Sequence, residues 1–163
     1  SITMQRTLFR SFSVLTELAK RGIRLPSVSK PIGNYTSVLR SGNYLYLSGA
    51  LPLKEDGSFY KGKIGVGMDE ETGYDAARKA AMVLTANILS EVPDLSKIRI
   101  VKITGFVNCS PSFEKIPAIV NGASDFFVEV FGENGKHARS AVGVASLPLG
   151  VPVEIEAVAE ILP

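Results

Sequence analysis

The sequence predicts a single α+β domain in which a mixed β-sheet carries two helices on one face. Two observations support this fold class. Apolar residues recur at helical spacing in residues 69–92 and 116–130, and the segments around them are rich in β-branched residues or alternate apolar with polar ones. The predicted order is β-β-α-β-α-β-β after a short N-terminal helix. Two helices cannot cover both faces of such a sheet, so we expect the free face to pack against other copies of the chain. Extra apolar surface for this contact is expected from Val38, Leu45, Leu47 and the strand over residues 139–146.

Composition narrows the classes of function. Of the 163 residues, 45% are hydrophobic and 21% are charged, as in an ordinary globular domain. The net charge of +2 is too small for a phosphate-binding surface, so nucleic acid is not expected as a partner. No apolar run approaches the ~20 residues that span a membrane. With one cysteine, Cys109, one histidine, His137, and no glycine-rich phosphate motif, we expect neither a metal nor a cofactor.

Residues 4–13 carry two arginines and three hydroxyl residues, and no acid precedes Glu17. This composition is typical of a mitochondrial presequence, although the frayed start of an ordinary helix gives the same pattern. We therefore predict a tail over residues 1–13, either a transit segment or the remnant of a tag, before a single domain over residues 14–163. The expected location is cytoplasmic, or mitochondrial if the tail is a presequence.

The first β segment is predicted to form a hairpin. Residues 35–40 and 44–48 are strand-like, and the loop Ser41-Gly42-Asn43 contains a glycine that can take the positive φ of a tight turn. Residues 54–67 hold four glycines but lack the spacing of a P-loop or of a dinucleotide fingerprint. We interpret that segment as a plain loop.

Both helices have recognisable ends. Asp69 can cap the first helix, which is predicted to run to about Val92. The second follows Pro111, tolerates Pro117 in its first turns and ends before Gly132. A strand over residues 98–108 lies between the helices.

Two further strands are predicted over residues 139–146 and 153–161. In the last strand the apolar residues share one face, because side chains alternate along a strand. The other face carries three glutamates: Glu154, Glu156 and Glu160.

A few side chains can carry chemistry without a cofactor. Arg139 begins a strand of small residues, and its guanidinium suits bidentate binding of a carboxylate, unless it is an ordinary surface arginine. Glu154 can orient a water or accept a proton, unless it belongs to a solvated glutamate face. Tyr35 and Ser48 place hydroxyls on the hairpin. Asn121 lies either opposite the centre of the second helix's apolar stripe or at its edge.

Several separated motifs carry a resemblance to a known family. Residues 138–148 together with 153–157 resemble the C-terminal signature of the Rid family, the reactive intermediate deaminases, also called the YjgF family and formerly labelled endoribonuclease L-PSP. Three other motifs match in the same order: Ile32-Gly33-Asn34-Tyr35, Leu47-Ser48-Gly49 and Val120-Asn121-Gly122. The resemblance covers roughly residues 12–161. The N-terminal helix and the loop over residues 54–67 are similar to those of a longer subgroup.

The resemblance implies a chorismate-mutase-like fold and a homotrimer with sites between subunits. It also implies a hydrolase acting on C–N (imine) bonds, of the 2-iminobutanoate/2-iminopropanoate deaminase type. Such an enzyme converts 2-imino acids, formed from enamines such as 2-aminoacrylate, to 2-keto acids and ammonia without a cofactor. Two alternatives remain open: an endoribonuclease that inhibits translation, and a non-catalytic trimer that binds small carboxylates.

Residue roles follow from the same resemblance. Arg139 matches the arginine that binds the substrate carboxylate, and Glu154 matches the glutamate that positions the attacking water. The implied substrate-binding residues are Tyr35, Ser48, Gly49, Asn121 and Ala141. Many members have cysteine where this chain has Ala141. The backbone is the part assigned to binding there, so the change is compatible with activity.

Overall fold

The structure is a computed structural model that describes residues 2–28 and 30–163, and within them the side chains outside residues 7–13. The helices and strands follow in this order: α1 (Ile2–Lys20), β1 (Val38–Ser41), β2 (Tyr44–Ala50), β3 (Lys63–Ile64), β4 (Gly67–Met68), α2 (Glu70–Glu91), β5 (Ile98–Asn108), α3 (Ile116–Phe131), β6 (Ala138–Val144) and β7 (Val153–Ile161).

The main sheet has five strands in the order β1-β2-β7-β5-β6. Neighbouring strands are antiparallel except for β5 and β6, which are parallel, so the sheet is mixed. The predicted α+β class is therefore confirmed. The loop over residues 54–67 contains only short β elements, among them the two-residue strand β3, which pairs with β4.

Both long helices pack on one face of the sheet. Along β7 the apolar residues Val153, Ile155, Ala157 and Ala159 are buried beneath the helices, whereas Glu156 is exposed on the other side. This confirms the alternation that the sequence predicts. We call the side without helices the open face. Its β1, β2 and β6 strands expose four large apolar side chains: Leu39, Tyr44, Tyr46 and Val142.

The predicted helix ends agree with the structure. The Asp69 carboxylate accepts a hydrogen bond of 2.8 Å from the backbone N–H of Thr72 and so caps α2. Gly132 follows α3 with a φ of +60°. The stripe of α2 is fully buried, as expected: Ala77, Ala81, Leu84 and Ile88.

Close approach of α3 to the sheet depends on Gly105 of β5. A Cβ there would lie 2.6 Å from Val120 Cγ1, so any larger residue would push the helix away.

The hairpin differs from its prediction in two details. β1 begins at Val38 and not at Tyr35, because Gly33, with a φ of +146°, belongs to a bent segment that precedes the strand. The loop has two residues and not three, because Ser41 pairs with Tyr44 across it.

Two further expectations about strands need correction. Leu45 and Leu47 were expected to add apolar surface to the free face, but both are buried beneath the helices because they alternate with Tyr46. Strand β6 ends at Val144, and the backbone carbonyl of Ala145 instead accepts a hydrogen bond of 2.6 Å from Lys63 Nζ.

Helix α1 is longer than the predicted N-terminal helix, and the expected boundary between residues 13 and 14 falls inside it. Its C-terminal end joins the core through Leu18 and, just beyond the helix, Ile23. The targeting or tag role of residues 1–13 stays a prediction, as does the location of the protein. None of the helices within the described residues is long and apolar enough to cross a bilayer.

Candidate functional site

Arg139 is held on the helix-covered side of edge strand β6. Its Nη1 donates hydrogen bonds to Asn121 Oδ1 at 2.8 Å and to Ser124 Oγ at 3.1 Å, and its Nη2 donates to the carbonyl of Pro117 at 3.4 Å. All three acceptors belong to α3. The guanidinium is therefore oriented by the helix and not merely extended into solvent.

The anchored guanidinium keeps part of its donor capacity. Arginine has five N–H donors in a planar fork, and three of those of Arg139 are engaged. Among the described residues nothing accepts a hydrogen bond from Nε, and the second Nη2 proton also has no acceptor there. Nε and Nη2 share one edge of the planar guanidinium, and such an edge can pair with both oxygens of a carboxylate.

A short chain of hydrogen bonds supports Arg139 from behind. His137 Nδ1 lies 2.6 Å from the carbonyl oxygen of Gly135, so Nδ1 must carry the proton. Nε2 then accepts from Ser124 Oγ, at 2.9 Å, while that oxygen accepts from Arg139. Burial of the ring lowers the pKa of His137, and the positive charge of Arg139 adds to this effect, whereas the bond to Gly135 opposes it.

Glu154 lies on the open face of β7 and leans across the backbone of Gly49. A Cβ on Gly49 would lie 2.9 Å from Glu154 Cδ and would overlap Oε1, so the glycine leaves room for the carboxylate. Burial raises the pKa of Glu154, and the neighbouring charge of Glu156 raises it further. A raised pKa brings a carboxylate closer to the range in which it exchanges protons near neutral pH.

Tyr35 and Ser48 meet at the same end of the sheet. Both line a cleft of about 600 Å³ on the open face, with Lys102, Thr104 and Glu156 among its other residues. Ser48 Oγ donates to the backbone carbonyl of Thr36 at 2.7 Å, so towards the cleft its oxygen can only accept. Tyr35 is 60% exposed.

The expected site residues thus form two groups in one chain. Tyr35, Ser48, Gly49 and Glu154 lie near the β2–β7 pair, whereas Arg139 and Asn121 lie at the other edge of the sheet. Ala141 belongs with the second group, and its partly buried side chain packs against the core on the helix-covered face of β6.

Sequence reasoning missed two members of the second group, Ser124 and His137. Ser124 follows Asn121 by three residues, the spacing that places two side chains on one face of a helix. That spacing is the signal that could have identified it. No local pattern connects His137 to α3.

A metal centre finds no support in this arrangement. Among the described residues there is no group of three or more His, Cys, Asp or Glu side chains that could hold an ion. Cys109 is buried just beyond the end of β5, where its Sγ lies close to Gly143 of β6.

The fold and the divided site define the class of protein. Residues 16–161 match the family described as "YjgF/chorismate_mutase-like, putative endoribonuclease". The chain therefore belongs to the YjgF family, as its sequence motifs indicated.

Individual relatives agree with this assignment. The chain is 41% identical over 150 residues to protein TCP17 of Trypanosoma cruzi, an alignment that covers 91% of this chain and 94% of that protein. It is 32% identical over 140 residues to a protein of Dermatophagoides farinae named 2-iminobutanoate/2-iminopropanoate deaminase, covering 85% and 94% of the two chains. A crystal structure of a protein with unknown function from Agrobacterium tumefaciens superposes with a TM-score of 0.84 at 37% identity, covering 98% and 99%.

Proposed function

We propose that the protein hydrolyses reactive 2-imino acids, such as 2-iminopropanoate formed from 2-aminoacrylate, to 2-keto acids and ammonia. The observation that carries the proposal is the anchored guanidinium of Arg139 with two adjacent free donors. A 2-imino acid presents a planar carboxylate beside its electrophilic carbon, and a fixed arginine fork holds that carboxylate in one orientation. The relative named as a deaminase is consistent with this assignment.

The reaction needs only the groups that the two halves of the site provide. Water attacks C2 of the imine, a C–O bond forms and Glu154 takes the water proton. Transfer of that proton to nitrogen completes the carbinolamine. Glu154 then moves the hydroxyl proton to the same nitrogen as the C=O bond forms and the C–N bond breaks, so that imine plus water becomes keto acid plus ammonia. The Ser48 hydroxyl already donates its proton to the carbonyl of Thr36, so towards the cleft Oγ can accept a hydrogen bond from the N–H of a protonated imine.

A trimer would join the two halves of the site. Arg139 and Glu154 cannot meet one ligand within a single chain, so the proposed site combines the β6 and α3 edge of one subunit with the open face of the next. Exposed apolar residues on the open face, Leu39 and Tyr46 among them, fit burial in such an assembly. The proposed ligands are small imino and keto acids, with no membrane or nucleic acid involved.

The direct test generates 2-iminopropanoate in situ with an amino acid oxidase and L-alanine. Semicarbazide traps the imine that survives, and pyruvate and ammonia report its hydrolysis. We expect the protein to accelerate hydrolysis and the Arg139→Ala variant not to. A rate equal to spontaneous hydrolysis at every protein concentration would reject the proposal.

The same assay addresses the two alternatives. A non-catalytic carboxylate-binding trimer would bind pyruvate without turnover. An endoribonuclease commonly uses histidine as an acid or base, yet both ring nitrogens of His137 are engaged, by Gly135 and Ser124. We therefore favour the deaminase.

A further inference from the structure

A second cavity adjoins the proposed site and extends beneath it. It measures about 450 Å³ and shares Tyr35, Ser48 and Gly49 with the site. This volume is within the range of small-molecule pockets, about 300–1,000 Å³. Its other lining residues include Leu53, Phe59, Val83, Ala86, Asn87 and Leu149.

The outer wall of this cavity is held in place. Leu53 and Phe59 form an antiparallel bridge, and the backbone N–H of Lys54 donates to the carbonyl of Ser58 at 2.8 Å. Next to Phe59, the Tyr60 hydroxyl donates a hydrogen bond to Asp75 of α2. The loop over residues 54–67 is thereby tied to the helix, and the cavity exists before any ligand arrives.

Asn87 is the unusual residue among these walls. It lies on the buried side of α2, is 7% exposed, and follows Val83 by one helical turn. Its carboxamide makes no hydrogen bond to any part of the chain that the structure describes. Among the described residues, every fully enclosed side-chain nitrogen or oxygen has a hydrogen-bond partner. Because the Asn87 carboxamide has no partner, it is not fully enclosed and must reach the cavity that Asn87 lines. Because the carboxamide reaches the cavity without a partner from the described chain, its donors and its acceptor are available to a ligand.

We propose that the cavity receives the side chain of the imino acid, and that Asn87 recognises a carboxamide at its end. This inference rests on the proposed function, because Ser48 and Gly49 belong to both spaces. The apolar walls suit a short hydrocarbon stem, and the Asn87 carboxamide can both donate and accept. Lys30, which is exposed, is the sole ionic side chain among the described lining residues, so a carboxylate would lack a charge partner beside Asn87.

The experiment compares two imines of nearly equal shape, formed by an amino acid oxidase from asparagine and from leucine. We expect kcat/KM to be about tenfold higher for the asparagine-derived imine, because a hydrophobic isostere leaves the buried amide unpaired. The variant Asn87→Leu is expected to remove or reverse that preference. As a matched control, Thr85→Val alters a buried polar residue of α2 that bonds to the carbonyl of Ala81, outside the cavity, and should keep the preference.

The outcomes separate this inference from the proposed function. If the alanine-derived imine is hydrolysed but the two larger imines are processed equally, the cavity proposal fails and the deaminase stands. If no imine is hydrolysed, the deaminase fails, and calorimetric affinities for the corresponding keto acids, 2-oxosuccinamate and 4-methyl-2-oxopentanoate, decide the matter. A preference for 2-oxosuccinamate that Asn87→Leu abolishes would support the cavity proposal, and equal affinities would reject it.

Discussion

Arg139 and Glu154 project from opposite faces of the same β-sheet. Arg139 pairs with Ile103 of β5, whose side chain is buried beneath the helices, whereas Glu154 pairs with Phe106, three residues further along that strand. Because side chains alternate along a strand, an odd separation places the two on different faces. A ligand that contacts both side chains therefore needs two subunits.

The first prediction concerns the carboxylate anchor. Replacing Arg139 with alanine removes two charge-assisted hydrogen bonds, so we expect kcat/KM for 2-iminopropanoate to fall by about 10²-fold or more. Arg139→Lys should recover only part of this loss, because an ammonium cannot reproduce the planar fork. The measurement is the imine-trapping assay, with light scattering to verify that assembly is intact. Wild-type turnover in Arg139→Ala would remove this residue from the mechanism.

The second prediction concerns the proton acceptor. Glu154→Gln retains the shape of the side chain but cannot take a proton from water at neutral pH. We expect turnover to fall by about 10²–10⁴-fold while pyruvate affinity changes little. Glu156→Gln, on the same face of β7, is the matched control. Equal behaviour of the two variants would contradict the role of Glu154.

The raised pKa of Glu154 gives this prediction a pH dependence. The base is active when ionised, so the rate should decline as pH falls through a pKa above that of an ordinary glutamate. Between the unfolded and the folded pKa the native state binds more protons, so stability falls as pH rises. Glu154→Gln should consequently raise the melting temperature at neutral pH, and raise it less in acid below both pKa values. An identical shift at both pH values would argue against the linkage.

The third prediction concerns the contact between Gly49 and Glu154. A methyl group at position 49 would displace the carboxylate, so Gly49→Ala should lower turnover by about tenfold or more. If the effect acts through Glu154, adding Gly49→Ala to Glu154→Gln should cause little further loss. Additive losses in that double-mutant cycle would show that the glycine acts independently.

Local sequence patterns predicted the elements well, since helical stripes and strand alternation depend on neighbouring residues. Strands β5 and β7 have the predicted ends. The contact of Glu154 with Gly49 depends instead on an irregularity between Leu47 and Ala50 in the pairing of β2 with β7, which no local pattern reveals.

Local sequence patterns also did not predict Ser124 and His137, the residues that support Arg139. Ser124 contacts the guanidinium, and His137 contacts Ser124, only because α3 packs along β6. Such contacts arise from tertiary structure. Helical spacing places Ser124 on the same face as Asn121, but no local pattern shows that this face meets Arg139.

The fourth prediction tests the chain of bonds through His137. The lowered pKa of His137 means that the unfolded chain binds a proton more readily than the folded chain. The contribution of neutral His137 to stability is therefore fully present above the unfolded pKa of about 6.5. It is lost as pH falls through the folded pKa. His137→Gln keeps an acceptor for Ser124 but does not titrate. When the pH is lowered from about 7.5 to about 5, we expect the melting temperature of this variant to fall less than that of the wild type. Parallel melting curves would indicate that His137 is not responsible.

The last prediction concerns the open face. A homotrimer should bury Leu39 and Tyr46, which are 59% and 49% exposed in the single chain, and would bring Glu154 of one subunit to Arg139 of the next. A charge in such an interface must be desolvated without a partner, so Tyr46→Asp should dissociate the assembly. It should also abolish turnover, although Tyr46 itself has no proposed part in the chemistry. The control is Val128→Asp, which adds the same charge to an exposed position on α3.

Light scattering gives the mass of each variant and the imine assay its activity. We expect a trimer with activity for the wild type and Val128→Asp, and a smaller, inactive species with an unchanged circular dichroism spectrum for Tyr46→Asp. A wild-type monomer that turns over the imine would contradict the shared site. So would a monomeric Tyr46→Asp variant with full activity, because one chain keeps Arg139 and Glu154 on opposite faces.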